Sequence, residues 1–241
     1  RIHAVLPDEN DITSVQERVL AASKKMLLQH QPTHCMVVWD GNEPSWRKTL
    51  YSDYKKGRKP MPTALSDGLV NIKATLAEHD INSFDAQSEA DDVIATIAMK
   101  MISNKGEVII VSTDKGFSQL PTKNLTLWDH FNQQVFDVEQ YEKKLGIEQY
   151  QMLDFIALAG DSGNKIPGIM GIGPKSAADL LNKFRTLANL YRSLDNLGAK
   201  QALKLAEGKE IARISYKLAQ LQCDIPLNIN LKQFRINPIT N

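Results

Sequence analysis

Leu158–Ala177 reads LAGDSGNKIPGIMGIGPKSA, and its punctuation decides how the rest of the chain is arranged. Gly168, Gly171 and Gly173 allow positive φ, Pro167 and Pro174 fix φ, and Ser176-Ala177 opens an apolar helical run. This pattern predicts a helix ending near Gly160, a tight hairpin, and a second helix from Pro174, because proline is pre-set for a first helical turn. Gly171-Ile172-Gly173 leaves backbone N–H groups uncovered at a helix N-terminus, and Lys175 adds a positive charge on the same edge. Such a turn suits a phosphate oxygen.

Working outward, strand-like apolar runs end in acids. His34–Asp40 (HCMVVWD) reads as a buried parallel strand with Asp40 at its carboxyl end, where ligands of open α/β folds bind. Glu107–Thr113 (EVIIVST) is a second buried strand, with Asp114-Lys115 beyond it. Ser88-Glu89-Ala90-Asp91-Asp92 opens a helix whose apolar face runs from Val93 to Ile102, and Ser88 with Asp91 fits a capping box. Carboxylates favour a helix's first turn, yet three within four residues repel one another, a cost that a bound Mg²⁺ removes. Helical spacing also covers Thr13–Gln31, Ala64–His79, Val138–Leu145 and Gln149–Leu158, with short strands expected at Asp80–Asp85, Leu125–Asp129 and Gln134–Asp137.

Trp46–Lys59 (WRKTLYSDYKKGRK) sets six basic residues around Tyr51 and Tyr54. Aromatics among cations hold single strands by stacking and phosphate neutralisation. The formal net charge of the 241-residue chain is only +1, so any nucleic-acid surface is local. Cys35 and Cys223 lie far apart without metal spacing, and Cys35 sits in an apolar run, which predicts a free thiol in a reducing compartment. No run is long and apolar enough to span a membrane, so a cytoplasmic protein is expected.

GIGPKSA resembles the helix-hairpin-helix signature, which grips the sugar-phosphate backbone without reading bases. The wider GDSGNKIPGIMGIGPKSA resembles the helix–three-turn–helix of the 5′-nuclease (flap endonuclease) superfamily, and EADD resembles that family's acidic segment. The resemblance implies an α/β fold: a PIN-like 5′-nuclease domain over 1–148 with a mostly parallel central sheet flanked by helices, and a helical helix–three-turn–helix region with the tail over 149–241. It implies a basic arch segment over 41–62, whose Tyr54, Lys55 and Arg58 contact DNA, with Lys55 and Arg58 stabilising charge on the scissile phosphate. DNA contact is likewise implied for Gly171, Ile172, Gly173, Pro174, Lys175 and Ser176.

The superfamily uses two carboxylate groups to hold two divalent ions. The first group maps onto Asp40, Glu89, Asp91 and Asp92; family members also open with a strand ending in an aspartate, which this sequence is expected to lack before Arg1. The second maps onto Asp114 and Asp161, but its other two positions are Gly116 and Asn164. One competent Mg²⁺ site and a poor second are therefore expected, with Asp91 and Asp114 in catalytic roles. That departure resembles the exonuclease IX-type flap endonuclease-like proteins of bacteria. Their hairpin K⁺ is held by backbone carbonyls, here of Leu158, Ala159, Pro167, Ile169 and Ile172. The implied function is a monomeric, Mg²⁺-dependent enzyme cutting 5′-flapped or branched duplex DNA near the junction. A catalytically weak binding protein of the same fold is the alternative, and an RNA-processing PIN-like nuclease is disfavoured by the hairpin.

Overall fold

The computed structural model describes residues 11–237; the opening RIHAVLPDEN and the last four residues lie outside them. The described chain divides into two compact units that interleave along the sequence. One comprises the described residues up to Asn42, Arg58–Ala90 and the described residues from Pro226; the other comprises Glu43–Gly57 and Asp91–Ile225.

The first unit is built on α1 (Ile12–His30), β1 (Val37–Trp39), α3 (Thr63–Glu78) and β2 (Ser83–Asp85). Asp11 starts α1 by accepting the Ser14 N–H at 3.0 Å. The helix packs on α3 through Val15, Leu27, Ile72 and Leu76, which are all buried. Gly68 lets the two helices close, since a Cβ there would stand 2.4 Å from Ile12 Cγ2. β1 and β2 pair in parallel with Val37 opposite Ser83 and Trp39 opposite Asp85. The continuous buried strand expected at His34–Asp40 is thus three residues long and half-buried; His34 instead forms an isolated bridge with Arg235.

The second unit begins with the short helix α2 (Trp46–Leu50), then takes in most of α4 (Ala90–Ser103), β3 (Val108–Val111), β4 (Leu125–Asp129), β5 (Gln134–Val135) and α5 (Val138–Leu145). β4 is central, parallel to β3 and antiparallel to β5. A core of Ala95, Ala98, Ile110, Phe117, Leu125 and Leu127 joins α4 to this sheet. Next come α6 (Met152–Ala159), α7 (Pro174–Phe184), α8 (Leu187–Arg192), α9 (Ala199–Glu207) and α10 (Lys209–Ala219). Leu158, Leu181, Leu190 and Leu205 are wholly enclosed there. Gln151 satisfies the far end of α7 from inside this core, its amide donating to Leu181 O at 3.0 Å and Arg185 O at 2.8 Å. Leu181 O also accepts the Arg185 N–H at 2.7 Å, whereas Arg185 O lies past the helix end, where carbonyls lack an intrahelical partner.

Candidate nucleic-acid interface and metal site

The predicted hairpin forms where the glycines and prolines require it. α6 ends at Gly160 with φ 76°, and α7 starts at Pro174 behind Gly173. Gly160 and Gly168 press backbone against backbone. A Cβ on Gly168 would stand 2.3 Å from Gly160 N and 2.6 Å from Ala159 C, and one on Gly160 would stand 2.8 Å from Pro167 O. No side chain fits between them. Ser215 of α10, fully buried, fixes the crossing by accepting the Gly168 N–H at 3.0 Å.

The crossing gathers the carbonyl-bearing residues expected to hold K⁺. Ala159 and Pro167 meet across it, Ile169 N–H donates to Leu158 O at 2.8 Å, and Ile172 N–H donates to Ile169 O at 3.0 Å. A carbonyl has two lone pairs, so Leu158 O and Ile169 O each keep one. Beyond them, Gly171, Gly173, Pro174 and Lys175 are exposed, Ser176 is half-buried, and Ile172 is buried beneath the turn. The Gly173 N-cap offers no side chain to α7, leaving the first N–H groups of the helix uncapped. Uncapped N–H groups at the positive end of a helix attract an anion.

The acids fall into three settings. Asp40, exposed at the end of β1, accepts the Ala90 N–H through Oδ1 at 2.8 Å. It thereby takes the place expected for Ser88, whose buried hydroxyl makes no hydrogen bond; the capping box does not form. Glu89 and Asp91 flank Ala90 and are half-buried.

Asp92 differs from its expected role as a metal ligand. It is 3% exposed and closed into a clamp with Arg47, also 3% exposed. Arg47 Nη1 donates to Oδ2 at 2.8 Å and Nη2 to Oδ1 at 2.7 Å. Trp46 Nε1 and the Gln222 N–H also donate to this carboxylate, at 3.1 and 3.0 Å. The guanidinium in turn binds Leu218 O and Gln220 O at 2.9 and 2.6 Å. Both Asp92 oxygens are engaged, which makes the residue a structural anchor. The same clamp removes Arg47 from the basic surface read from the sequence.

The third setting surrounds Tyr141. Burial pushes its hydroxyl above the ordinary tyrosine range, and the charges of Asp161 and Asp114 push it further. Asp114 is exposed and caps the 3₁₀ turn Lys115–Gln119 by accepting the Gly116 N–H at 2.7 Å. A Cβ at position 116 would stand 3.1 Å from Asp114 Oδ1, so a carboxylate at that place would neighbour Asp114; glycine supplies none. Asp161 accepts the Gly163 N–H at 3.0 Å and Asn164 Nδ2 at 2.7 Å. The neutral Asn164 thus bonds to Asp161, where a second acid would repel it.

Among the described residues no group of three or more His, Cys, Asp or Glu side chains is placed to hold a metal ion. With Asp92 locked away, the donor set that remains is hard carboxylate oxygen. That chemistry suits Mg²⁺, which keeps several waters and needs only one or two protein carboxylates.

The basic segment also differs from expectation. Tyr54, expected to contact DNA, is 5% exposed and packs with Ile166 and Leu218. It is a core residue, and Tyr54→Ala is expected to cost about 3–5 kcal/mol, as for other large aromatic truncations, read as a lower urea midpoint. Lys55 is half-buried with its ammonium 5.0 Å from the Tyr54 ring, and its N–H donates to Asn164 O at 2.8 Å. The basic turn is therefore tied to the start of the hairpin. Arg58 is exposed. Sequence reasoning did not find Ser215; a lone serine on the apolar face of ARISYKLA was its only trace. A groove of about 450 Å³ between Leu120–Leu127 and Val135–Glu139 is lined by none of the expected site residues.

The class is a resolvase-like PIN domain followed by a SAM-like helical domain. The chain belongs to the 5′-3′ exonuclease family, matching its N-terminal resolvase-like domain over residues 3–146 and its C-terminal SAM fold over residues 147–241. It is 72% identical over 236 residues to the flap endonuclease Xni of Shewanella denitrificans, covering 98% of this chain and 94% of that protein. The flap endonuclease Xni of Shewanella halifaxensis is 64% identical over the same length, with the same coverage. The T5 D15 protein co-crystallized with metal ions shares the fold at a TM-score of 0.74 and 18% identity, covering 86% of this chain and 81% of that one. The catalytic core of Rad2 in complex with DNA substrate does so at 0.60 and 17%, covering 92% and 76%.

Proposed function

We propose that this chain is a Mg²⁺-dependent, structure-specific 5′-flap DNA endonuclease that hydrolyses phosphodiester bonds near single/double-strand junctions. The observation that carries this reading is the exposed hairpin over the uncapped N-terminus of α7, in a chain 72% identical to a protein named flap endonuclease. The hairpin binds duplex backbone, and Lys55 and Arg58 neutralise phosphate charge on the strand to be cut. Asp40, Glu89 and Asp91 are the acids that would serve Mg²⁺, one or two of them reaching the ion directly and the rest acting through its waters. When bound, the ion supplies an activated water and charge stabilisation at phosphorus. Asp114 and Asp161 form a weaker second set, because Gly116 brings no carboxylate and Asn164 only a neutral amide.

The same two positions favour a second reading, a flap-binding protein that has lost useful catalysis. Incubating a 5′-flap duplex with the protein in Mg²⁺ separates the two. Cleavage near the junction is expected; tight binding without cleavage would leave only the second reading.

Lys175 borders the exposed turn, so Lys175→Ala is expected to lower the slope of log affinity against log salt by about one phosphate. An unchanged slope would remove Lys175 from the interface. Repeating the titration with K⁺ exchanged for a large organic cation tests the carbonyl cluster of Leu158, Ala159, Pro167, Ile169 and Ile172. Weaker duplex binding is expected, and an indifferent affinity would count against an ion there.

A further inference from the structure

Lys204, on α9, ends against the hairpin turn. A Cβ built on Gly171 would stand 2.7 Å from Lys204 Nζ, 3.5 Å from Cε and 3.9 Å from Cδ. The lysine stem therefore lies along the bare face of that glycine and brings its ammonium to the turn. Gly171 is glycine because of its φ of 76°, and the lysine stem occupies the space that its missing side chain leaves.

The placement is built into the packing. Leu205, the next residue, is wholly buried, and Tyr191 donates its hydroxyl to Leu205 O at 3.1 Å. One turn further on, a Cβ at Gly208 would stand 2.6 Å from Ile169 Cγ2, so the end of α9 is seated on the hairpin at two points. Among the described residues the Lys204 ammonium has no hydrogen bond, ion pair or ring contact. Glu207, three residues on, is exposed and unpaired with it. Ordering a lysine side chain costs entropy, and a lysine held in place without a partner suits an anion that arrives from outside.

We infer that Lys204 is a further contact of the hairpin with a nucleic-acid phosphate. It adds a cation from α9 beside the turn that Lys175 borders from α7. The inference rests on the DNA-binding reading above and extends it to an element outside the motif.

Salt titrations of a 5′-flap duplex against wild type, Lys175→Ala, Lys204→Ala, Lys204→Met and Lys204→Arg test it. Methionine keeps an apolar stem along Gly171 and removes the charge, which guards against a packing defect in the alanine variant. Loss of one phosphate contact lowers the slope by about 0.9, which is about eightfold weaker binding at 0.1 M salt. That loss is expected for both Lys204→Ala and Lys204→Met, with recovery in Lys204→Arg. Wild-type slopes in both uncharged variants, with Lys175→Ala flattened, would overturn the role of Lys204 alone. Wild-type affinity insensitive to salt would overturn the DNA-binding reading beneath it.

Discussion

Asp91→Ala is expected to reduce flap cleavage more than about a hundredfold, beyond the 10–100-fold cost of losing a group that only orients a metal ligand. Flap affinity should stay within about twofold of wild type, because the proposed grip on the duplex is a different element, the Gly171–Ser176 edge. Asp91 is half-buried in the first turn of α4. A carboxylate there also favours the helix dipole, so its loss should cost about 0.3–1 kcal/mol in stability. The informative comparison is single-turnover cutting at saturating protein against Kd in EDTA. Cleavage that survives the substitution would take Asp91 out of the proposed metal site.

The adjacent acid should behave in the opposite way. Asp92→Ala removes the bidentate carboxylate from the buried Arg47 guanidinium, and breaking a buried pair from one side typically costs about 3–5 kcal/mol. The alanine also leaves Trp46 Nε1 and the Gln222 N–H without their acceptor. A large fall in the urea midpoint is expected, equal in EDTA and in Mg²⁺, since the defect is in packing and charge pairing. Stability untouched in EDTA but lower in Mg²⁺ would restore Asp92 to the metal. Two neighbouring aspartates, one failing in chemistry and one in folding, give a clear contrast within a single helical turn.

The hairpin was legible because glycine and proline restrict the backbone wherever they stand. Gly160, Gly168 and Gly171 all take positive φ, and Pro174 opens α7. Leu125–Asp129 and Val138–Leu145 also formed over the expected residues, bounded by turn chemistry that needs no distant partner. Asp92 was not legible, because the charge that claims it lies 45 residues away. Three acids in four residues look alike in sequence; only the fold shows that one points at a buried guanidinium. Tyr54 misled for a related reason. An aromatic among lysines reads as a stacking surface, whereas packing against Ile166 and Leu218 makes it a wedge inside the protein. Asp40 took the place expected for Ser88 at the head of α4 because a carboxylate brought in from β1 is the stronger acceptor for the Ala90 N–H.

The contact between Gly160 and Gly168 sets a limit on how this region can change. Each position leaves the other no room for even a methyl group, so a library randomised at both and selected for a folded hairpin should return glycine twice. Compensation by a paired substitution is closed off, since a neighbour that gives way would have to be main chain. Variation that tunes the grip on a ligand is thus confined to the lysines and small residues around the turn, while the knot at its base stays constant.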